Sequence, residues 1–321
     1  MSDPTVLVTG ANGFLGRALT DRLLADGVAV RAGLRTAPAD FPAAADVRLI
    51  PPDSNELQWR RLVAGVDAIA HCAARVHVLR ETESDPLAAF RRVNVDLTMN
   101  LANAAAASGV RRFVFISSIG VLGAETFGTP FRSDTPPKPH SSYAQSKLEA
   151  ETALRNLAAR TGVELVIVRP PLVCGPGASG NFPRLLGLVA RGIPMPFGSL
   201  ENRRSLVGLD NLVDFVKTCL FHPAAPAHVQ LPTDGKPIST PQLIRAIAMA
   251  LGRPDRVIPF PPSLLRRGLE LAGRGSLAQQ LCGSLEIDGS QSAATLSWTP
   301  PGSIEAQLQK LAAAYVQNRS G

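Results

Sequence analysis

Thr5-Val6-Leu7-Val8-Thr9-Gly10-Ala11-Asn12-Gly13-Phe14-Leu15-Gly16 is the stretch that decides the fold. An apolar, β-branched run leads at once into glycines spaced G-x-x-G-x-x-G, and Leu15, Leu19 and Leu23 follow at helical spacing. The run reads as a buried strand and 16–25 as a helix. So tight a strand-to-helix turn needs residues without Cβ. A pyrophosphate resting on the helix N-terminus needs backbone N–H groups within reach. A bare glycine triad is weak, but one wedged between strand and helix is a dinucleotide-binding signature. Gly10, Gly13, Phe14, Leu15 and Gly16 are therefore expected against the cofactor.

The same alternation continues outward. Short apolar runs at 28–34, 47–50, 67–71, 112–117 and 163–168 read as strands, and 86–108 and 142–160 as long helices. Continuous apolar strands separated by helices predict a parallel sheet covered on both faces. The expected fold class is α/β: a Rossmann-like, doubly wound parallel sheet with a smaller, mostly helical C-terminal substrate lobe. Past residue 170, proline and glycine become frequent. The expected division is 1–170 for the dinucleotide-binding domain, with a return near 205–235, and 171–204 with 236–321 for the lobe. Segments 207–217 and 228–231 are expected to rejoin the sheet.

Composition narrows the function classes. With 45% hydrophobic and 18% charged residues among 321, global disorder is excluded. Four cysteines lie far apart without a CxxC pair, which disfavours a disulfide framework or zinc site and fits a reducing cytoplasm. Neither a signal-like N-terminus nor an apolar run of spanning length stands out, so no integral membrane segment is expected. The net charge of +7 would by itself suggest nucleic acid or an acidic surface. The basic residues are scattered, however, and five of the 33 are lysine. That pattern points to anionic small molecules and no nucleic-acid partner.

An NAD site usually ends its second strand on a carboxylate that binds the ribose hydroxyls. Here Arg35 stands there, with Arg31 close by. A cationic fork suits a 2′-phosphate, so NADP is expected ahead of NAD. Asp53, after the third strand, either accepts from the adenine amino group or caps the next helix.

Tyr143 and Lys147 stand at i and i+4 on a predicted helix and so share a face. An ammonium near a phenol favours phenolate, lowering its pKa from about 10 towards neutrality. Such a tyrosine can exchange a proton with a carbinol or carbonyl oxygen. Ser117-Ser118 ends the fifth strand, where a hydroxyl can hold the same oxygen.

The motifs together carry a resemblance. TGANGFLG (9–16), HCAA (71–74), VNVDLTMNL (93–101), RRFVFISSIGVLG (111–123), YAQSK (143–147), RPPLVCGPG (169–177) and RRSLVGLDNLVD (203–214) run through most of the chain, with LSWTP (296–300) fainter. The chain resembles the extended short-chain dehydrogenase/reductases, in the nucleotide-sugar branch of the NAD-dependent epimerase/dehydratase family. The resemblance implies Tyr143 as acid/base, Lys147 as its partner and ribose ligand, and Ser118 on the substrate oxygen. It implies Ala73 and Ala74 along the cofactor, Asn94 supporting the site, and Pro170 and Val173 beside the nicotinamide. Asn181 and Arg203 are implied at the substrate pyrophosphate, and a homodimer through helices of the Rossmann-like domain.

Departures from the pattern shape the expectation. Ile119-Gly120 stands where 4,6-dehydratases carry Asp-Glu, which disfavours dehydration. Leu122 and Cys174 replace two customary tyrosines, and 285–288 lacks the late arginine of many epimerases. The leading expectation is reduction of a UDP-4-keto-6-deoxy-N-acetylhexosamine in surface-polysaccharide synthesis. The alternative is 4-epimerisation of UDP-glucose or UDP-N-acetylglucosamine. Reduction of a hydrophobic ketone and a non-catalytic dinucleotide-binding regulator stand behind these. The scattered histidines lack metal-ligand spacing, and no metal is expected.

Overall fold

A computed structural model describes residues 4–50, 54–76, 85–178 and 181–320. Its centre is a six-stranded parallel sheet of β1 (Thr5–Thr9), β2 (Ala29–Leu34), β3 (Asp46–Leu49), β4 (Ala68–His71), β5 (Arg112–Ile116) and β6 (Glu164–Val168), in the order β3-β2-β1-β4-β5-β6. The order reverses beside β1, so the turns after β1 and β4 open into one crevice. The doubly wound α/β class read from the sequence is the class observed.

Strand alternation sorts the core into two layers. Val6, Val8, Ala68, Ala70 and Val114 face α1 (Phe14–Ala25) and a later helix, Leu209–Phe221. Leu7, Ile69, Phe113 and Phe115 face the other way, onto α2 (Glu56–Val63), α4 (Leu97–Ala107) and α5 (Ser142–Thr161). A side chain of this size, moved fully out of water, contributes roughly 1.5–3 kcal/mol. Burial on both sides is why the strands read as unbroken apolar runs.

The expected helix over 86–108 is interrupted. After α3 (Pro86–Arg91), Arg92–Asp96 forms a π-turn before α4. The inserted turn carries Asn94, which is fully buried. Capping follows the sequence: Asp85 accepts from Ala88 N at 3.0 Å, and Gly162 ends α5 in the left-handed region.

Segment 207–217 does not rejoin the main sheet as expected. β7 (Leu172–Cys174) and β8 (Leu206–Gly208) pair in parallel as a separate two-stranded sheet. α6 (Asn181–Ala190) lies between them in sequence, and α7 (Leu209–Phe221) follows and packs on α1. Apolar residues at 209, 212, 213, 216 and 220 have the helical period that overrides the short β-branched cue. Segment 228–231 touches the sheet edge through one bridge, Val168 to Gln230.

Beyond β8 the chain is mostly helical: α8 (Thr240–Ala250), α9 (Pro262–Leu271), α10 (Gly275–Cys282), α11 (Ser290–Leu296) and α12 (Ile304–Ser320). A cluster around Leu186, Leu206, Ile244 and Leu308 forms its core. Leu296 and Trp298 return to the first core layer, where Trp298 meets Phe215 edge-on at 4.8 Å and donates to Asp214 at 3.0 Å. No helix among the described residues is long and apolar enough to cross a membrane.

Candidate active site

The glycine turn forms a cradle of dinucleotide type. Gly10 has φ +63°, and a Cβ there would stand 2.8 Å from the Ala73 backbone. A Cβ on Gly16 would stand 2.2 Å from Gly10 O. Gly13 caps α1 without any side-chain bond, leaving the first-turn N–H groups facing the crevice. Phe14 and Leu15 open that helix, half-buried. These features fit a pyrophosphate at a helix N-terminus. Ala73 and Ala74 follow β4 directly beneath the turn, with Ala73 N 3.5 Å from Thr9 Oγ1.

Arg35 is exposed at the end of β2, without an ion-pair partner among the described residues. Arg31 does not join it. Its Nε reaches Asp46 at 2.8 Å and its Nη1 the carbonyls of Leu62 and Ala64 at 2.9 and 2.7 Å. The expected two-arginine fork is thus a single cation, because Arg31 is held by Asp46 and by the carbonyls at the end of α2. Asp53 lies outside the described residues.

A buried hydrogen-bond chain ties the cradle to α5. Thr9 Oγ1 lies 2.7 Å from His71 Nδ1, and His71 Nε2 lies 2.8 Å from Thr98 Oγ1. Thr98 donates to Asn94 O at 2.9 Å. Burial pushes the imidazole down to about 3, so it is neutral. Thr98 has spent its own proton, so it accepts from Nε2–H, and Nδ1 accepts from Thr9. Asn94 Nδ2 donates to Ser146 Oγ at 3.0 Å, and Ser146 donates to Tyr143 O at 2.8 Å.

Tyr143 and Lys147 lie in the first turns of α5, capped by Ser141. The Tyr143 ring meets Phe90 edge-on at 6.0 Å. Lys147 is buried, with Nζ 4.0 Å over the Phe115 ring. The expected fall in the tyrosine pKa is not what the protein chain alone produces. Burial pushes Tyr143 up to about 12 and Lys147 down to about 7. Desolvation penalises phenolate and ammonium alike, and at Lys147 it outweighs the opposing pull of Glu151. At neutral pH the phenol therefore keeps its proton.

Ser118 caps the 3₁₀ turn Ile119–Val121, accepting from Gly120 N at 3.1 Å. Its own proton is left to donate elsewhere. Gly120 is enclosed: a Cβ there would meet His140 Cε1 at 3.1 Å and Ser118 Oγ at 3.4 Å. Pro170 is buried, and its carbonyl accepts from Ile119 N at 3.1 Å; Val173 is half-buried in β7.

Glu151 is the principal residue that motif reading passes over. Fully buried on α5, it accepts from Ser117 Oγ at 2.6 Å and from Arg169 at 2.9 and 2.6 Å. Its position four residues past Lys147 was the available signal. One carboxylate thereby joins the neighbours of Ser118 and Pro170 to the helix of Tyr143.

At the lobe, Arg203 is 60% exposed and paired with Glu286 at 2.7 Å. Arg204 is the arginine turned inward, donating to Gly283 O at 3.0 Å, with its pKa lowered by burial. Counting back from Asp210 selects Arg203. The antiparallel bridge of Arg204 to Ile238 instead decides which side chain faces in. Asn181 begins α6, and its side chain lies outside the described residues.

Residues 6–231 match the family described as "NAD dependent epimerase/dehydratase family". A UDP-glucose 4-epimerase of Vibrio cholerae is 38% identical, covering 98% of this chain and 96% of its own. A UDP-N-acetylglucosamine 4-epimerase of Bacillus cereus superposes with a TM-score of 0.79 at 18% identity, covering 98% and 99% of the two chains. A UDP-glucuronic acid 4-epimerase from the same organism, solved in complex with NAD, gives 0.77 at 18% identity, with 98% and 99% covered.

Proposed function

The chain belongs to the NAD-dependent epimerase/dehydratase family and is an enzyme of it, and from that premise we propose that it inverts C4 of a UDP-sugar. The observation that carries this reading is the 38% identity, over nearly the whole of both chains, to a UDP-glucose 4-epimerase. It reverses the order expected from sequence, which set 4-keto reduction first. Dehydration stays disfavoured as well, since a side chain at Gly120 would crowd His140 and Ser118.

UDP-glucose and UDP-N-acetylglucosamine are the substrates proposed. NAD is the cofactor proposed, because Arg31 is held by Asp46 and a 2′-phosphate would meet Arg35 alone. When bound, the dinucleotide supplies reversible hydride acceptance at C4. The protein supplies the proton and the orientation. Tyr143 exchanges a proton with the C4 oxygen, while Ser118 donates to that oxygen and stabilises charge developing on it. For abstraction, phenolate needs positive charge beside it, which Lys147 provides when protonated. Inversion requires hydrogen to leave and return on opposite faces of C4, so the sugar must turn over between transfers. Asn181 at the start of α6 and Arg203, with Arg204 beside it, are the residues proposed to hold the diphosphate meanwhile, and binding energy at the nucleotide serves orientation at the sugar. The test is incubation of purified protein with UDP-glucose or UDP-N-acetylglucosamine. Conversion to the galacto epimer without net change in nicotinamide absorbance supports the reading. Stoichiometric NADPH consumption with a 4-keto sugar, and no epimer, restores the reductase.

A further inference from the structure

Helix α9 is unusual for this protein: none of its ten residues is buried. Leu265 and Leu269 are half-buried against the lobe, which fixes the opposite side as the solvent side. There Leu264 and Leu271, two turns apart, are 55% and 90% exposed. Arg267 stands between them on the same stripe, and Arg274 follows just past the helix end, as the N-cap of α10. Phe260, 37% exposed, precedes the helix.

The charge around this stripe is one-sided. Between 253 and 274 the chain carries five arginines and two carboxylates. Both carboxylates are occupied, Asp255 by Arg245 at 2.9 Å and Glu270 by Arg266 at 3.1 Å. Arg253, Arg267 and Arg274 have no carboxylate partner among the described residues. An anionic small molecule needs a concave site, whereas these cations stand on a convex helix among exposed leucines.

We propose that the α9 face docks on an anionic lipid surface, with Leu264 and Leu271 entering the headgroup boundary and Arg267 and Arg274 meeting lipid phosphates. Exposed leucines beside arginines that no carboxylate neutralises offer both the apolar insertion and the attraction to anionic lipid that hold a helix at an interface. Charge argues against a second copy as the occupant. A two-fold contact through this face would bring two copies of the same arginine-bearing surface together. Docking would also orient the substrate lobe. Arg266 on α9 lies 3.9 Å from Glu125, and Gln279 on α10 donates to Glu125 at 3.2 Å, in the loop that leaves the Ser118 turn.

The experiment is flotation of the full chain with vesicles, read without substrate and so independently of the proposed epimerase activity. Phosphatidylglycerol-containing vesicles are compared with pure phosphatidylcholine at low and high salt. Binding to the anionic vesicles, lost at high salt, is expected. Leu264→Glu with Leu271→Glu, and separately Arg267→Glu with Arg274→Glu, are each expected to lower partitioning about tenfold or more. All four positions are exposed, and unchanged thermal melting confirms that the variants fold. Failure of the wild type to float with anionic vesicles overturns the proposal. So does flotation of both variants at the wild-type level. A wild-type dimer that the leucine variant splits assigns the face to a second copy, which also overturns it.

Discussion

The guanidinium of Arg169 lies against the carboxylate of Glu151 with both donors engaged, Nε at 2.9 Å and Nη2 at 2.6 Å, in a place closed to water. Arg169 immediately precedes Pro170 at the end of β6. Glu151 stands on α5 one turn after Lys147, and its Oε1 also accepts from Ser117, next to Ser118. The segments that hold Ser118, Lys147 and Pro170 are thus fixed to one another through one buried carboxylate.

Breaking that pair should be expensive. Glu151→Ala leaves Arg169 charged and buried, at a cost of about 3–5 kcal/mol. Urea unfolding should show the loss, and Glu151→Ala combined with Arg169→Met should recover a substantial part. A loss of under about 1 kcal/mol for the single change would mean that the pair is not closed to water as described.

His71 predicts a pH dependence of stability. Its folded pKa of about 3 is below the unfolded value of 6.5, so the unfolded chain binds the extra proton between those limits. The contribution is therefore present above 6.5 and lost as pH falls towards 3, with a limiting slope of about 1.4 kcal/mol per pH unit. His71→Gln should flatten the acid side of the stability profile by one proton. Equal slopes in the two proteins would show that the imidazole charges without unfolding.

Gly16→Ala should abolish cofactor retention, since its Cβ would meet Gly10 O at 2.2 Å. Nucleotide released by denaturing the purified protein is the measure. Retention at the wild-type ratio would show that the turn moves aside without loss of the cradle.

Cofactor choice should not depend on Arg31. Arg31→Ala removes bonds to Asp46, Leu62 and Ala64, so it should lower the melting temperature while leaving the ratio of NAD to NADP affinity within about threefold. A large change in that ratio, read by calorimetry on stripped protein, would return Arg31 to the cofactor.

The sheet and the glycine turn were legible because they are local: one run of residues contains both the pattern and its consequence. The Tyr143 and Lys147 pair was legible for the same reason, through helical spacing. The hydrogen-bond chain from Thr9 to Tyr143 joins residues more than a hundred positions apart, and the π-turn at Asn94 leaves no mark on the apolar period. Which of Arg203 and Arg204 turns inward depends on a bridge to Ile238, which single-sequence pattern cannot locate. The protonation of Tyr143 is not legible in spacing, which reports the lysine on the same face but not the burial that acts on both groups.

The most direct test of the central claim follows hydrogen at the reacting carbon. UDP-N-acetylglucosamine or UDP-glucose deuterated at C4 is incubated with the purified protein in ordinary water, and the product is read by NMR and mass spectrometry. The account predicts a galacto product that keeps its deuterium at C4, because hydride leaves and returns within one closed site. It also predicts that Tyr143→Phe lowers turnover by about 10²–10⁴-fold. Washout of the label into solvent during inversion, or turnover undiminished in Tyr143→Phe, would contradict it.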